Sequence, residues 1–232
     1  MSNVEDNRVK KEISMIKGII FDFDGLILDT ESCQYHIIQQ IFKDHGSELP
    51  IERWQQEIGT KSGFSPFQYL QEQVKRKIDH HSIKADFREK FHKKLETEQA
   101  RPGVEDYLKQ AKEMNLKIGL ASSSDYKWVS THLKKLGIFH YFDCIRTSDH
   151  VEKVKPDPAL YLQAAECLEL SVEQCLVFED SANGALAAKR AGMFAVVVPN
   201  EVTCTMNFCE VEYRLDSMKE IELHDLIERI IE

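Results

Sequence analysis

The apolar positions along the chain change rhythm twice. Ile16-Lys17-Gly18-Ile19-Ile20-Phe21 is a short apolar run entered from a polar leader, the pattern of a strand buried on both faces. Between 33 and 98 the spacing turns helical. Ile37, Ile38, Ile41 and Phe42 fit one helix face, Phe67, Leu70 and Val74 a second, and Phe87, Phe91 and Leu95 a third. From Gly103 onward helices and strands alternate. Val104, Tyr107, Leu108 and Ala111 predict a helix face, Lys117–Ala121 a strand, and Trp128 to Leu136 a helix closed by Gly137. Phe142–Arg146 predicts a third strand, and a helix over 159–168 is opened by Asp157 and Pro158. Cys175–Phe178 reads as the fourth strand, followed by a helix over 182–191 that Gly192 stops. Ala195–Val198 is the fifth strand, and a sixth is expected near 211–215, before a helix carrying Ile221, Leu226, Ile227 and Ile230.

This alternation predicts an α/β fold with a doubly wound parallel sheet. Residues 1–32 and 99–232 read as the α/β core, and 33–98 as a small inserted α-helical domain. The natural crossings between them are Thr30–Cys33 and Ala100–Gly103. Residues 1–14 show no periodicity and lack the apolar centre of a secretory signal.

Composition narrows the partners. In 232 residues, 30 Lys and Arg stand against 39 Asp and Glu, a net charge of −9 that leaves no basic footprint for a nucleic acid polymer or an anionic membrane. No apolar run approaches the ~20 residues of a membrane span. The six cysteines include no Cys-x-x-Cys pair, which argues against a structural zinc site, and Cys167 and Cys175 read as buried thiols in apolar segments. A reduced, cytoplasmic protein is expected, a monomer or weak homodimer.

Candidate chemistry lies at the predicted strand ends, where open α/β sheets bind ligands. Asp22 and Asp24, spaced i and i+2, share a face at the end of the first strand. Two like charges beside an apolar sheet call for a cation or a shared proton. A solvated turn is the plainer alternative, but Leu26-Ile27-Leu28 follows instead of polar turn residues. Ser122 ends the second strand, with Ser124 or Asp125 the expected cap of the next helix. Lys155 sits in Val154-Lys155-Pro156-Asp157-Pro158, and Glu179 and Asp180 end the fourth strand. In the inserted block, Ile58-Gly59-Thr60-Lys61-Ser62-Gly63 is a glycine-bracketed loop with a cation and hydroxyls, whereas Asp79-His80-His81 reads as solvent-exposed.

The stretch Phe21-Asp22-Phe23-Asp24-Gly25-Leu26-Ile27-Leu28-Asp29-Thr30-Glu31 resembles the first motif of the haloacid-dehalogenase-like superfamily, in its phosphatase and phosphomutase branch. Ser122, Lys155 and Glu179-Asp180 are similar to its three later motifs, in the same order. The resemblance implies a phosphatase acting on a small phosphate monoester. Asp22 would be the nucleophile that forms an aspartyl-phosphate, and Asp24 the acid and base, binding metal through its main-chain carbonyl. Ser122, the Ser123 backbone and Lys155 would hold the phosphoryl group, and Mg²⁺ would sit among Asp22, Asp24, Glu179 and Asp180. Thr60 and Lys61 would face the substrate from the cap. A β-phosphoglucomutase-like mutase is the nearest alternative. Those members carry a His at the position of Gln34, and His36 falls on another side of the helix. A dehalogenase does not normally keep the second Asp, here Asp24. A non-catalytic binding module has no physical need for so concentrated a charge cluster.

Overall fold

The computed structural model describes residues 16–60 and 63–232. Six parallel strands form one sheet: β1 (Gly18–Phe21), β2 (Lys117–Ala121), β3 (Cys144–Arg146), β4 (Cys175–Glu179), β5 (Phe194–Val197) and β6 (Tyr213–Arg214). Their order is β3-β2-β1-β4-β5-β6, so the winding reverses at β1, between β2 and β4. The expected doubly wound sheet is therefore present, with its switch point beside the strand that carries Asp22 and Asp24.

The central strands are apolar on both faces because helices cover both. Ile19, Phe21, Leu176 and Phe178 point into one core with Tyr107, Val129 and Leu226. Ile20, Cys175 and Val177 point into the other with Tyr161, Ala164 and Ala188. The covering helices are α5 (Val104–Glu113), α6 (Tyr126–Lys135), α7 (Ala159–Cys167), α8 (Ala182–Arg190) and α9 (Leu223–Ile231). Asp125 caps α6 by accepting from Trp128 N at 2.8 Å. Ahead of α7 the cap residue is Pro158 instead of Asp157, although the Asp157 carboxylate still accepts from Ala159 N.

Between β1 and α5 the chain forms α1 (Thr30–Asp44), α2 (Ile51–Gln55), α3 (Pro66–Val74) and α4 (His80–Thr97). These helices share a cluster of their own around Ile38, Phe42, Trp54, Phe67 and Leu70. Phe91 and Leu95 on α4 reach the main core. Thr30–Cys33, the expected outward crossing, forms the first turn of α1, capped by the Asp29 carboxylate on Ser32 N. Asp79 likewise caps α4, accepting from His81 N and Ser82 N.

Cys175 is a buried thiol as expected, but Cys167 is not. Cys167 on α7 is bonded to Cys144 on β3, with a Cα–Cα distance of 6.2 Å. The packing of α7 on β3 brings the two together across 23 residues of sequence. Among the described residues no helix is long and apolar enough to cross a membrane.

Candidate active site

Sheet pairing delivers the strand-end residues to one place. Asp22 N donates to Phe178 O at 3.0 Å and Ser122 N to Arg146 O at 3.0 Å, so each residue stands one step past its strand while still held by the neighbouring one. After Asp24 the chain turns sharply, with Gly25 at φ +86°. A Cβ on Gly25 would lie 2.2 Å from Asp180 Oδ2, so only glycine lets the acidic loop lie against the fourth strand end.

At the centre, the ammonium of Lys155 is 1% exposed and donates to the Asp22 carboxylate, to Glu179 Oε1 at 2.6 Å and to Ala121 O at 2.8 Å. Against the cost of burial, Asp22 and Glu179 hold that ammonium up at about 12, so it stays charged at neutral pH. Burial pushes the Asp22 carboxyl up to about 8 even though Lys155 pulls it down. Burial, then the charges of Glu179 and Asp22, raise Asp180 well above the ordinary carboxylate range. One ammonium does not balance three buried carboxylates.

Glu179 is the most heavily bonded of the three. It accepts from Lys155, from Tyr161 Oη at 2.5 Å, and from Asp180 N, Ser181 N and Ser181 Oγ. Gly184, in the first turn of α8, makes room for it: a Cβ there would lie 1.8 Å from Glu179 Oε1. Asp180 Oδ2 accepts from Asn200 Nδ2 at 2.8 Å, but its buried Oδ1 has no hydrogen-bond partner among the described residues. Oxygens of Asp22, Glu179 and Asp180 all lie within 4.8 Å of one another. An orphaned buried carboxylate oxygen beside two more hard oxygen donors fits Mg²⁺ better than a softer metal.

Asp24 lines the same cavity as Asp22 but is held by other partners. Its Oδ1 accepts from Trp128 Nε1 at 2.9 Å and Thr30 Oγ1 at 3.0 Å, and its Oδ2 from Ser124 Oγ at 2.6 Å. Ser122 is buried, its hydroxyl accepting from Ser124 N, while Ser123 Oγ donates to Gly59 O at 3.1 Å across to the helical segment.

A cavity of about 260 Å³ opens over Asp22, Asp24, Ser122 and Ser123, roofed by Glu31, Gln34, Gly59, Thr60 and Phe91. Glu31, Gln34 and Thr60 also line a second cavity of about 520 Å³ that runs into the helices between Trp54, Phe67 and Phe87. Burial, then the charges of Asp24, Asp22 and Asp29, push the Glu31 carboxyl well up. His36 points elsewhere and meets Glu201 at 3.0 Å. Thus Asp22, Asp24, Ser122, Ser123, Lys155, Glu179, Asp180 and Thr60 come together, and Lys61 lies outside the described residues.

Several site residues escaped the sequence reading. Arg101 donates to Gly25 O, Val198 O and Pro199 O at 2.7 to 2.8 Å, locking the acidic loop to the end of β5. Its place in the returning crossing was the available signal. Asn200 follows the fifth strand end, a position that could have marked it. Tyr161 and Trp128 sit within helices and carried no local signal.

A doubly wound sheet whose switch point gathers carboxylates, a hydroxyl and a buried ammonium marks an α/β enzyme with its site beyond the strand ends. The chain belongs to the haloacid dehalogenase-like hydrolase family, whose sequence profile matches residues 19–198. It is 56% identical over 216 residues to YhcW of Bacillus subtilis (strain 168), assigned as a phosphatase by name only, covering 93% of this chain and 98% of that one. It is 29% identical over 187 residues to the "Phosphorylated carbohydrates phosphatase" of Thermotoga maritima, covering 77% of this chain and 82% of that one. A crystal structure from Thermotoga maritima, assigned by name only as a β-phosphoglucomutase, superposes with a TM-score of 0.70 at 26% identity, over 88% of this chain and 96% of that one.

Proposed function

We propose that this phosphoric monoester hydrolase works through an aspartyl-phosphate on Asp22, with Mg²⁺ held by Asp22, Asp180 and the main-chain carbonyl of Asp24, and with Glu179 beside them. The observation that carries the reading is the Lys155 ammonium buried between Asp22 and Glu179, beside the unpartnered Oδ1 of Asp180. A fixed cation next to an anionic nucleophile offsets its repulsion from an anionic phosphoryl group. When bound, Mg²⁺ supplies further positive charge to that group.

The Asp22 carboxylate attacks phosphorus, forming a P–O bond as the ester P–O bond breaks. Asp24 gives its proton to the departing alkoxide. It then takes a proton from the water that cleaves the aspartyl-phosphate, which returns Asp22 as carboxylate and releases inorganic phosphate. The hydroxyl of Ser122 and the backbone N–H of Ser123, which line the cavity with Asp22, would donate to phosphoryl oxygens in this reading. The substrate class favoured is a sugar phosphate or a similar metabolite. Aromatic walls at Trp54, Phe67 and Phe87 suit the apolar face of a ring, and the Glu31 carboxyl beside them can exchange hydrogen bonds with hydroxyls.

Phosphate release from a panel of small monoesters, with Mg²⁺ and with chelator, tests the reading. Metal-dependent release is expected, together with an acid-stable, hydroxylamine-labile phosphoenzyme that Asp22→Asn abolishes. Interconversion of sugar phosphates without release would overturn it in favour of a mutase, a reading that the outward-turned His36 opposes.

A further inference from the structure

Trp128 lies outside the four strand-end motifs, yet it holds one of their residues. We propose that Trp128 is a positioning residue that fixes the rotation of the Asp24 carboxylate, so that Oδ2 is the oxygen that exchanges the proton with the leaving group. This rests on the reading of Asp24 as the acid and base.

Three donors meet Asp24, but they are not equivalent. Thr30 Oγ1, at 3.0 Å from Oδ1, and Ser124 Oγ, at 2.6 Å from Oδ2, are hydroxyls that can donate or accept. The indole Nε1–H of Trp128, at 2.9 Å from Oδ1, can only donate. When Asp24 carries its proton, both hydroxyls can turn to suit it, whereas the indole still requires a lone pair. Oδ1 therefore stays an acceptor, and the proton belongs on Oδ2.

The indole is itself held on several sides. Its main-chain N–H is capped by Asp125 at 2.8 Å in the first turn of α6. Its ring stacks on Phe91 with centroids 6.0 Å apart and planes 16° apart, and His132 packs edge-on at 4.2 Å. Phe91 stacks in turn on Phe87, which lines the cavity within the helices. A ring placed for packing alone would have no need to aim its N–H at the acidic loop.

Trp128→Phe keeps the stack and deletes the donor. With Mg²⁺ present, kcat/KM is measured for 4-nitrophenyl phosphate, phenyl phosphate and glycerol 2-phosphate, whose leaving groups need increasing protonation. The expected loss is within about threefold for the nitrophenyl ester and about 10- to 100-fold for the alkyl ester, a share of the ~10²–10⁴ that positioned acid catalysis supplies. An equal loss on all three, or none, overturns the proposal. Asp24→Asn serves as the reference. If it shows the graded loss and Trp128→Phe does not, only the positioning role fails; if Asp24→Asn shows none, the assignment of the acid fails and this proposal with it. A second measurement does not depend on Trp128→Phe folding. The chain has two tryptophans, so the ¹H–¹⁵N spectrum carries two indole signals. Asp24→Asn should shift that of Trp128 and leave that of Trp54 in place, and a spectrum with both unmoved overturns the proposal.

Discussion

The floor and the roof of the cavity are built on opposite plans. The floor, at the ends of β1, β2 and β4, is charged, buried and cross-bonded: Lys155, Asp22, Glu179, Tyr161 and Ser181 form one connected network. The roof, from α1 to α4, is aromatic and half-open, with single polar groups such as Glu31 and Gln34 set among rings. Burial explains the contrast. A charge taken out of water must be met on every side, so each floor residue constrains the next. Rings packed against rings gain from contact area and tolerate exchange of one apolar shape for another. In the proposed reading the floor fixes the reaction and the roof chooses the leaving group.

The contrast is tested hardest at Asp22. Asp22→Asn removes the nucleophile and keeps the shape, so turnover should fall by roughly 10⁴-fold or more while the fold survives. Single-turnover assays with circular dichroism on the same sample check both halves. Lys155→Met comes next. It leaves Asp22 and Glu179 facing one another without their shared cation, and breaking such a buried pair costs about 3–5 kcal/mol. Urea unfolding should show a loss of that size, and a loss below about 1 kcal/mol would mean that the network is not a unit.

Part of this floor was legible in the sequence. Lys155 lies in the loop between β3 and α7 and was marked by its resemblance to a family motif and the Pro-Asp-Pro after it. Asp22, Ser122 and the Glu179-Asp180 pair instead stand at the ends of apolar runs, and a strand end is a local signal. The sheet order then brings them together without further information. What could not be read is what approaches from afar. Trp128 meets Asp24 across 104 residues, Arg101 meets Val198 across 97, and Cys144 meets Cys167 across 23. Periodicity recovered three of the four roof helices, because an amphipathic stripe is also a local signal. The helix Ile51–Gln55 escaped, being five residues long and too short to show a period. The cavity between the helices was illegible for the same reason as Trp128, since its walls come from separate elements.

The roof should respond to change more mildly. Phe87→Ala removes one wall of the inner cavity, and a lost apolar contact of this kind is worth about 10-fold or somewhat more in discrimination. The expected result is a KM raised about 10-fold for a ring-bearing sugar phosphate, with kcat kept and 4-nitrophenyl phosphate little affected. Equal losses for both esters would erase the division between floor and roof.

The smallest effect expected is also the most specific, and it lies where roof meets floor. Glu31 lies in the first turn of α1, and burial, followed by the charges of Asp24, Asp22 and Asp29, holds its carboxyl well above the ordinary range. A carboxyl raised in this way favours the folded state while it is protonated. That contribution is complete below the ordinary carboxylate pKa and drains away as pH rises through the raised value. Glu31→Gln is permanently neutral and keeps nearly the same shape. In chelator, thermal unfolding of the variant should match that of the parent at the acidic end and exceed it progressively as pH rises. Adding Mg²⁺ should shrink the gap, because a cation near Asp22 and Asp180 offsets part of the field that Glu31 feels. A gap that stays flat with pH would show that the roof carboxyl does not sense the floor, and the two regions would then be independent.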